Sequence, residues 1–226
     1  DGIIHAGVLE RDRSLSDDLL FGVPVVTVNR RVSAPDIPCV VNDDEQGIRS
    51  ILQHLIDLGH RHVVHLAGPI SSSTGHQRRE AFLKEARAHD LSVGPGAVVE
   101  AAAYDEASGA QCALAALRDL PETTALLCAN DRLAIGALRA LGERGLSCPD
   151  DISITGFNDM PMMDLIPPGL TTIRIRSAEV GKAAGNLLAK MMTQPDEVVP
   201  SQTIMPVAMI LRKSTAKPRE TRRNLE

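Results

Sequence analysis

Short apolar runs alternate with helical patterns along the whole chain. Segment 46–58 is a clear example of the helical pattern, because Ile48, Ile51, Leu52 and Leu55 recur with a period of about 3.6 residues. Helices are predicted near 15–21, 45–58, 76–89, 106–120, 131–144 and 178–192. Strands are predicted at 2–6, 24–28, 62–67, 97–102, 125–129, 151–155, 171–175 and 205–211.

The predicted strands are continuous apolar runs, which is typical of strands that are covered on both faces. Their alternation with helices favours an α/β fold with a doubly wound parallel sheet. Ligands of such sheets bind outside the carboxyl ends of the strands. The residues that follow each strand are therefore the first candidates for a functional site.

Polar residues follow five of the predicted strands. Asn130 and Asp131 end the apolar run 126–129 and begin a helical pattern. The other four strand ends carry Asn29-Arg30-Arg31, the segment GPISSSTGHQRR at 68–79, Tyr104-Asp105 and Asn158-Asp159. An amide both donates and accepts hydrogen bonds, which suits hydroxyl groups. We predict a polar cradle for a small molecule, with one aromatic face.

Composition and charge narrow the classes of partner. The net charge of -5 and the pI of about 5.8 give no electrostatic footprint for a nucleic-acid backbone. Aromatic residues make up only 2% of the chain, which argues against a base-stacking platform. The chain has no apolar run of about 18 residues, so no membrane contact is expected. Four cysteines without a CxxC pair favour a reducing, cytoplasmic compartment.

Known catalytic and cofactor motifs are not found. The chain has no G-x-S-x-G and no G-x-G-x-x-G after a strand, and GPISSSTGHQ lacks the lysine of a P-loop. That segment remains a weaker candidate for an anion site at a helix start. His60, His62 and His65 fit a turn and a strand better than a metal site. No cofactor, metal or catalytic residue is predicted, and the chain is not expected to be an enzyme.

Two carboxylates at strand ends, Asp131 and Asp159, allow two interpretations. They could form an acid/base pair, or they could have structural roles. Aspartate is favoured at the start of a helix, and Asp131 precedes a helix with an apolar face. We therefore predict capping or structural roles for both.

Several segments, occurring in a fixed order, resemble the effector-binding core of LacI/GalR-type transcriptional regulators. They are VPVVTVNRR, LIDLGHRHVVHLAGP, QRREAFLKEA, LLCANDRLAIGALRALGERGLSCPDDISITGFNDMP, PPGLTTIRI and LRKST. The resemblance implies two Rossmann-like subdomains of the periplasmic-binding-protein-like type, joined by three crossings, with a small effector between them. It also implies a bacterial homodimer or tetramer that binds operator DNA through an amino-terminal helix-turn-helix, which we do not expect within these 226 residues.

The resemblance also suggests how the chain divides. Residues 1–42 and 177–204 would form part of the amino-proximal subdomain, and residues 43–176 and 205–214 the carboxyl-proximal subdomain, with a tail at 215–226. We expect the amino-proximal subdomain to be incomplete by about two βα units, on the order of 60 residues at ~30 per unit.

The resemblance assigns effector contacts to particular residues. Arg78 matches the family's effector-binding arginine, and Tyr104 falls where the family places a stacking aromatic. Asn29 and Asn158 stand where the family usually has acidic residues, which favours a neutral effector such as a sugar over a cation. Arg132 is expected to meet a negative group. The predicted effector-binding set is Asn29, Arg30, Arg78, Tyr104, Asn130, Arg132 and Asn158.

The loop FNDMPMMDLIPPGL at 157–170 is rich in apolar residues and is interrupted by two prolines. Adaptable methionines are common at contact surfaces. In the family this segment lies near the dimer interface, so a homodimer contact through Met160, Met162, Met163 and Leu165 is predicted. The alternative is a loop folded back on its own core.

Two other functional classes remain open. An exported sugar-binding protein of an uptake system shares the fold, and a small-molecule enzyme is the third hypothesis. The segments PDDISITGFND and LTTIRIRSAEVG resemble the sequences of regulators rather than those of uptake proteins. The missing nucleophile and metal motifs disfavour the enzyme.

Overall fold

A computed structural model describes residues 1–7, 22–32, 37–91 and 93–219 of the chain. The helix predicted near 15–21 lies outside these described residues.

Strands and helices alternate over most of the described chain. The strands are β1 (Ile3–Ala6), β2 (Val25–Val28), β3 (Cys39–Asn42), β4 (Val63–Ala67), β5 (Val98–Glu100), β6 (Ala125–Cys128), β7 (Ser153–Asn158), β8 (Thr171–Arg174), β9 (Gln202–Met205) and β10 (Ala208–Ile210). The helices are α1 (Asp44–Asp57), α2 (Ser73–Ala88), α3 (Glu106–Asp119), α4 (Asp131–Glu143) and α5 (Ser177–Thr193).

The strands form two sheets. One has four strands in the order β1-β2-β3-β9, and the other has six in the order β10-β8-β7-β6-β4-β5. All strand pairs are parallel except β10 with β8, which is antiparallel. The predicted α/β fold with parallel sheets is confirmed.

The six-stranded sheet has a buried cluster on each face. One cluster joins Leu126 and Ile154 to the apolar sides of α3 and α4. The other joins Leu127 and Phe157 to α1 and α2. Leu126 and Leu127 are neighbours in β6 and point to opposite clusters. Both faces of β6 are therefore covered, which explains why this strand is apolar throughout.

Helices α3 and α4 pack closely because glycines stand at their contact. A Cβ on Gly136 would overlap the backbone of Glu106, and one on Gly109 would overlap the backbone of Leu133. The N-terminus of α4 is thereby held at the edge of the sheet where β6 ends.

The chain passes between the two sheets at three points in the described residues. These are the links from β3 to α1, from β8 to α5 and from β9 to β10. The carboxyl ends of parallel strands in both sheets face the cleft between them.

The structure differs most clearly from the sequence prediction at three elements. Strand β3 was not predicted, although it pairs with both β2 and β9. The single strand predicted at 205–211 is two strands in different sheets, interrupted at Pro206, which cannot donate to a ladder. Helix α2 starts at Ser73 rather than at 76, because Ser72 caps it by accepting a hydrogen bond from the Gly75 amide.

Candidate functional site

A cavity of ≈ 220 Å³ lies between the two sheets, at the carboxyl ends of their strands. Side chains from both sheets enclose it. Its lining residues are Gly7, Asn29, Arg30, Asn42, Thr74, Arg78, Tyr104, Asn130, Asn158 and Ile175. Six of the seven residues predicted from the sequence to bind the effector therefore lie together here.

The seventh predicted residue, Arg132, does not line this cavity. It lies on the outer side of α4, where its Nε and Nη2 donate to the carboxylate of Glu106 at 2.9 Å each. This pairing lowers the pKa of Glu106 to about 2. Arg132 does meet a negative group, but this group is a side chain of α3 and lies outside the cavity lining.

Arg78 forms the floor of the cavity and is only 4% exposed. Its Nε and Nη2 donate to Oδ1 of Asp44 at 3.0 and 2.8 Å, and its Nη1 donates to the carbonyl of Ala129 at 2.5 Å. Its guanidinium carbon lies 3.6 Å from the centroid of the Phe157 ring. Burial raises the pKa of Asp44, and the charge of Arg78 opposes that rise. The guanidinium is thus held in one orientation before any ligand arrives.

Tyr104 provides the aromatic wall. Its hydroxyl lies 3.1 Å from Oγ1 of Thr74 and 3.3 Å from Oγ of Ser72. A Cβ on Gly68 would overlap the ring, so glycine is required at the end of β4 for the tyrosine to fit. The guanidinium of Arg30 lies 5.6 Å from the ring centroid, on the side of the smaller sheet.

Amides make up much of the remaining lining. Nδ2 of Asn42 donates to Oδ1 of Asn29 at 3.1 Å, while the buried Oδ1 of Asn42 accepts no hydrogen bond. Asn29 and Asn158 have φ angles of 62° and 114°, in the left-handed region where asparagine is tolerated better than most residues. Asn42 was not among the predicted site residues, because strand β3, which it ends, was not predicted. A buried acceptor that lacks a donor is a position at which a ligand hydroxyl fits.

The two polar residues that begin α4 have different roles. Asn130 is the cap, since its Oδ1 accepts from the Leu133 amide at 2.8 Å. Asp131 is not the cap. It is fully buried, and its carboxylate accepts hydrogen bonds from the Met160 amide at 2.7 Å and from Oγ1 of Thr172 at 2.6 Å. Burial raises the pKa of Asp131 to about 6.

Asp159 lies outside the cavity lining and forms ion pairs. Its carboxylate receives hydrogen bonds from Arg174 at 2.6 Å and from Arg212 at 2.7 Å. These contacts join the end of β7 to β8 and to the segment after β10. The contacts of Asp131 and Asp159 are structural, and neither residue lines the cavity.

The apolar loop after β7 divides into a buried part and an exposed part. Met163 is 3% exposed and belongs to the core cluster of α3 and α4, while Met160 packs against the same cluster. The prediction that Met163 forms a subunit contact is therefore wrong, and for this residue the loop does fold back on its own core. Met162 and Leu165 are 62% and 68% exposed.

Two of the three histidines at 60–65, His60 and His65, make hydrogen bonds within the fold. Nδ1 of His60 lies 2.9 Å from Oγ1 of Thr124, and Nδ1 of His65 lies 2.8 Å from the carbonyl of Leu127. Within the described residues no group of three His, Cys, Asp or Glu side chains could hold a metal ion. The four cysteines are free thiols, and Cys112 and Cys128 are buried. No helix in the described part of the chain is long and apolar enough to cross a membrane.

Comparison with known proteins gives consistent results. Residues 52–215 match a family model described as a periplasmic binding protein-like domain. The chain is 34% identical over 164 residues to the HTH-type transcriptional repressor PurR of Haemophilus influenzae (strain PittEE), covering 72% of this chain and 48% of that protein. The chain thus spans about half the length of this curated relative.

Solved structures show the same similarity. The complex of the transcriptional regulator CelR with cellobiose superposes with a TM-score of 0.88 at 25% identity, over 95% of this chain and 65% of that one. A LacI family transcriptional regulator from Enterococcus faecium with bound ribose gives a TM-score of 0.84 at 27% identity, over 97% of this chain and 81% of that one.

Proposed function

Because this chain belongs to the periplasmic binding protein-like family, as the effector-binding core of a LacI/GalR-type regulator, we propose that it senses a small neutral metabolite, a sugar, in the cleft between its sheets. Occupancy of the cleft modulates operator binding by a helix-turn-helix carried elsewhere in the protein. The protein acts in the cytoplasm as a homodimer and catalyses no reaction.

The observation that carries this proposal is the convergence of side chains from both sheets on one cavity. Asn29 and Arg30 come from the four-stranded sheet, and Arg78, Tyr104 and Asn158 come from the six-stranded side. A ligand that contacts both sheets binds best to one arrangement of the two. Such differential affinity is what an effector needs in order to shift a conformational equilibrium.

The chemistry of the lining supports a polyhydroxylated ligand. Four amides donate and accept, and the face of Tyr104 can stack on an apolar sugar face. None of the described residues that line the cleft is acidic, which disfavours a cation. The related regulators with cellobiose and with ribose support the same class of ligand.

A ligand screen followed by one substitution tests the site. Neutral mono- and disaccharides are screened for a rise in the melting temperature, since a ligand of the folded state stabilises it. Asn158→Gly then removes an amide while keeping a residue that accepts a φ of 114°. Its affinity for the stabilising sugar should fall about tenfold, the equivalent of one to two hydrogen bonds, as measured by calorimetry.

Asp90→Gly is the matched control. Asp90 has a φ of 55°, is exposed and lies beyond the carboxyl end of α2, away from the lining residues. Its affinity should equal that of the parent. The proposed ligand class is wrong if no neutral sugar stabilises the parent, and the proposed site is wrong if Asn158→Gly binds like Asp90→Gly.

The homodimer is tested at the exposed part of the apolar loop. Leu165→Asp should turn a dimer into a monomer in sedimentation, because a carboxylate in an apolar contact loses its hydration. Val198→Asp is the control, since Val198 is 92% exposed and belongs to another region. A Leu165→Asp variant that sediments as a dimer would place the contact elsewhere.

A further inference from the structure

A buried carboxylate that does not line the ligand cleft touches the arginine at its floor. We infer that Asp44 sets the charge selectivity of the cleft: by neutralising Arg78 it makes the floor accept neutral hydroxyl groups and reject carboxylate and phosphate groups. This inference rests on the proposed function, since it assumes that the cleft is the ligand site.

The position of Asp44 gives the first step. The side chains of Asp44 and Arg78 are 3% and 5% exposed, and their closest atoms are 2.8 Å apart. Arg78 lines the ligand cleft, whereas Asp44 is absent from its lining and lines a second cavity of ≈ 390 Å³. Asn42 lines both cavities, so the two adjoin, with one member of the ion pair in each lining. A ligand meets the guanidinium and not the carboxylate.

The hydrogen-bonding capacity of Arg78 gives the second step. A guanidinium has five N–H donors. Three of them donate to Asp44 and to the carbonyl of Ala129, and the Phe157 ring covers one face. The remaining donors can reach the hydroxyl oxygens of a sugar. A hydroxyl accepts such a bond without adding charge.

The charge balance gives the third step. A ligand carboxylate on Arg78 would place two carboxylates on one guanidinium in a buried site, where like charges repel strongly. The other cation of the lining, Arg30, lies towards the opposite sheet, against the ring of Tyr104. Without the charge of Asp44, the positive charge of Arg78 would no longer be neutralised by its buried partner, and the floor of the cleft would favour anions.

The test compares neutral sugars with their acids. Glucose and galactose are measured against glucuronate and galacturonate by calorimetry, with the parent, Asp44→Asn and Asp43→Asn. Asp43→Asn is the matched control, because Asp43 is the neighbouring carboxylate, caps α1 and does not contact Arg78. Inorganic phosphate at constant ionic strength serves as a second probe, read as a shift in the melting temperature.

The parent and Asp43→Asn should bind each neutral sugar about tenfold or more tightly than its acid, the scale of one charge-assisted hydrogen bond. In Asp44→Asn this preference should shrink or reverse, and phosphate should stabilise this variant alone. Removing one partner of a buried pair can prevent folding. In that case the preference of the parent decides, since a parent that binds the acids as tightly as the neutral sugars overturns the inference.

The remaining outcomes separate this inference from the proposed function. If no sugar or acid binds to the parent but phosphate stabilises Asp44→Asn only, the sugar ligand fails and the charge selectivity stands. If a neutral sugar binds and Asp44→Asn shows the preference of the parent, Asp44 is structural only and the inference fails. Equal responses of Asp44→Asn and Asp43→Asn also overturn it.

Discussion

The two sheets that meet at the cleft differ in how their described residues are packed. The six-stranded sheet has a large buried cluster on each face, formed with two helices on either side. The four-stranded sheet has one larger cluster, under α5, and a second built around Val25 and Ile37. The residues that line the cleft follow this division in part. On the larger side Arg78 and Asn130 are 4% and 6% exposed, whereas on the smaller side Asn42 is 5% exposed but Asn29 is exposed. The larger sheet therefore supplies a fixed half-site, against which the smaller one is positioned.

The largest expected effect comes from equal truncations in the two cores. Leu126→Ala, in the sealed cluster of α3 and α4, should lower the free energy of unfolding by about 4–5 kcal/mol, because its surroundings cannot collapse into the cavity. Leu187→Ala, in the cluster under α5, should cost about 2–3 kcal/mol. Urea denaturation measures both values.

Equal costs for the two leucine variants would break the comparison. Both leucines are buried, at 0% and 8% exposure, so the amount of surface removed is similar. A difference would then come from how well each site relaxes around the missing atoms. Ile154→Val, a smaller truncation in the same cluster as Leu126, should cost about 0.5–1.5 kcal/mol and calibrates the series.

The same division explains which strands the sequence reveals. Strands such as β6 are apolar at every position because both faces are covered, and they were predicted correctly. Strand β3 is as long as β6, but its apolar run has only three residues, Cys39-Val40-Val41, between Pro38 and Asn42, whereas the run of β6 continues to Ala129, so the pattern of β3 is harder to separate from a loop. Asn42 was missed with it. Its pairing with β2 and β9 is a tertiary contact that no local pattern records.

The direction of the side chains at a helix start could also not be predicted from the sequence. Asn130, Asp131 and Arg132 are consecutive, yet they face the cleft, the core and α3 respectively. Successive helical residues turn by about 100°, so neighbours in sequence rarely share a face. Asn130 and Asp131 are both of a type that can cap a helix. Asn130 is the cap because α4 begins at Asp131.

The next prediction concerns the buried carboxylate of the larger sheet. The pKa of Asp131 is raised from 3.8 to about 6 in the folded state. The contribution of its protonated form to the free energy of unfolding is therefore fully present below about pH 4 and is lost as pH rises through 6. Two pKa units correspond to about 3 kcal/mol. The unfolding free energy of the parent should therefore fall by about that amount between pH 4 and 6, relative to Asp131→Asn, in urea denaturation at each pH.

The matched control for this pH effect is Asp119→Asn. Asp119 lies at the end of α3, and its pKa is lowered by Arg118. Asp119 therefore titrates at lower pH, and its substitution should leave the pH dependence of the unfolding free energy between pH 4 and 6 unchanged. Parallel curves for the parent and Asp131→Asn would show that Asp131 is ionised throughout, and would remove this contrast between the sheets.

The smallest effect on stability is expected at Asn130, where cap and ligand contact coincide. Asn130→Ser keeps a good cap, so the unfolding free energy should change by less than about 0.5 kcal/mol, whereas Asn130→Ala should cost about 1 kcal/mol. Both variants lose the amide, and their affinity for the stabilising sugar should fall about tenfold. On the smaller sheet Asn29 caps no helix but accepts a hydrogen bond from the buried Asn42, so Asn29→Gly, at a φ of 62°, should lose affinity and about 1 kcal/mol of stability. If Asn130→Ser binds the sugar like the parent, the amide serves the helix alone, and the fixed half-site of the larger sheet consists of Arg78, Tyr104 and Asn158.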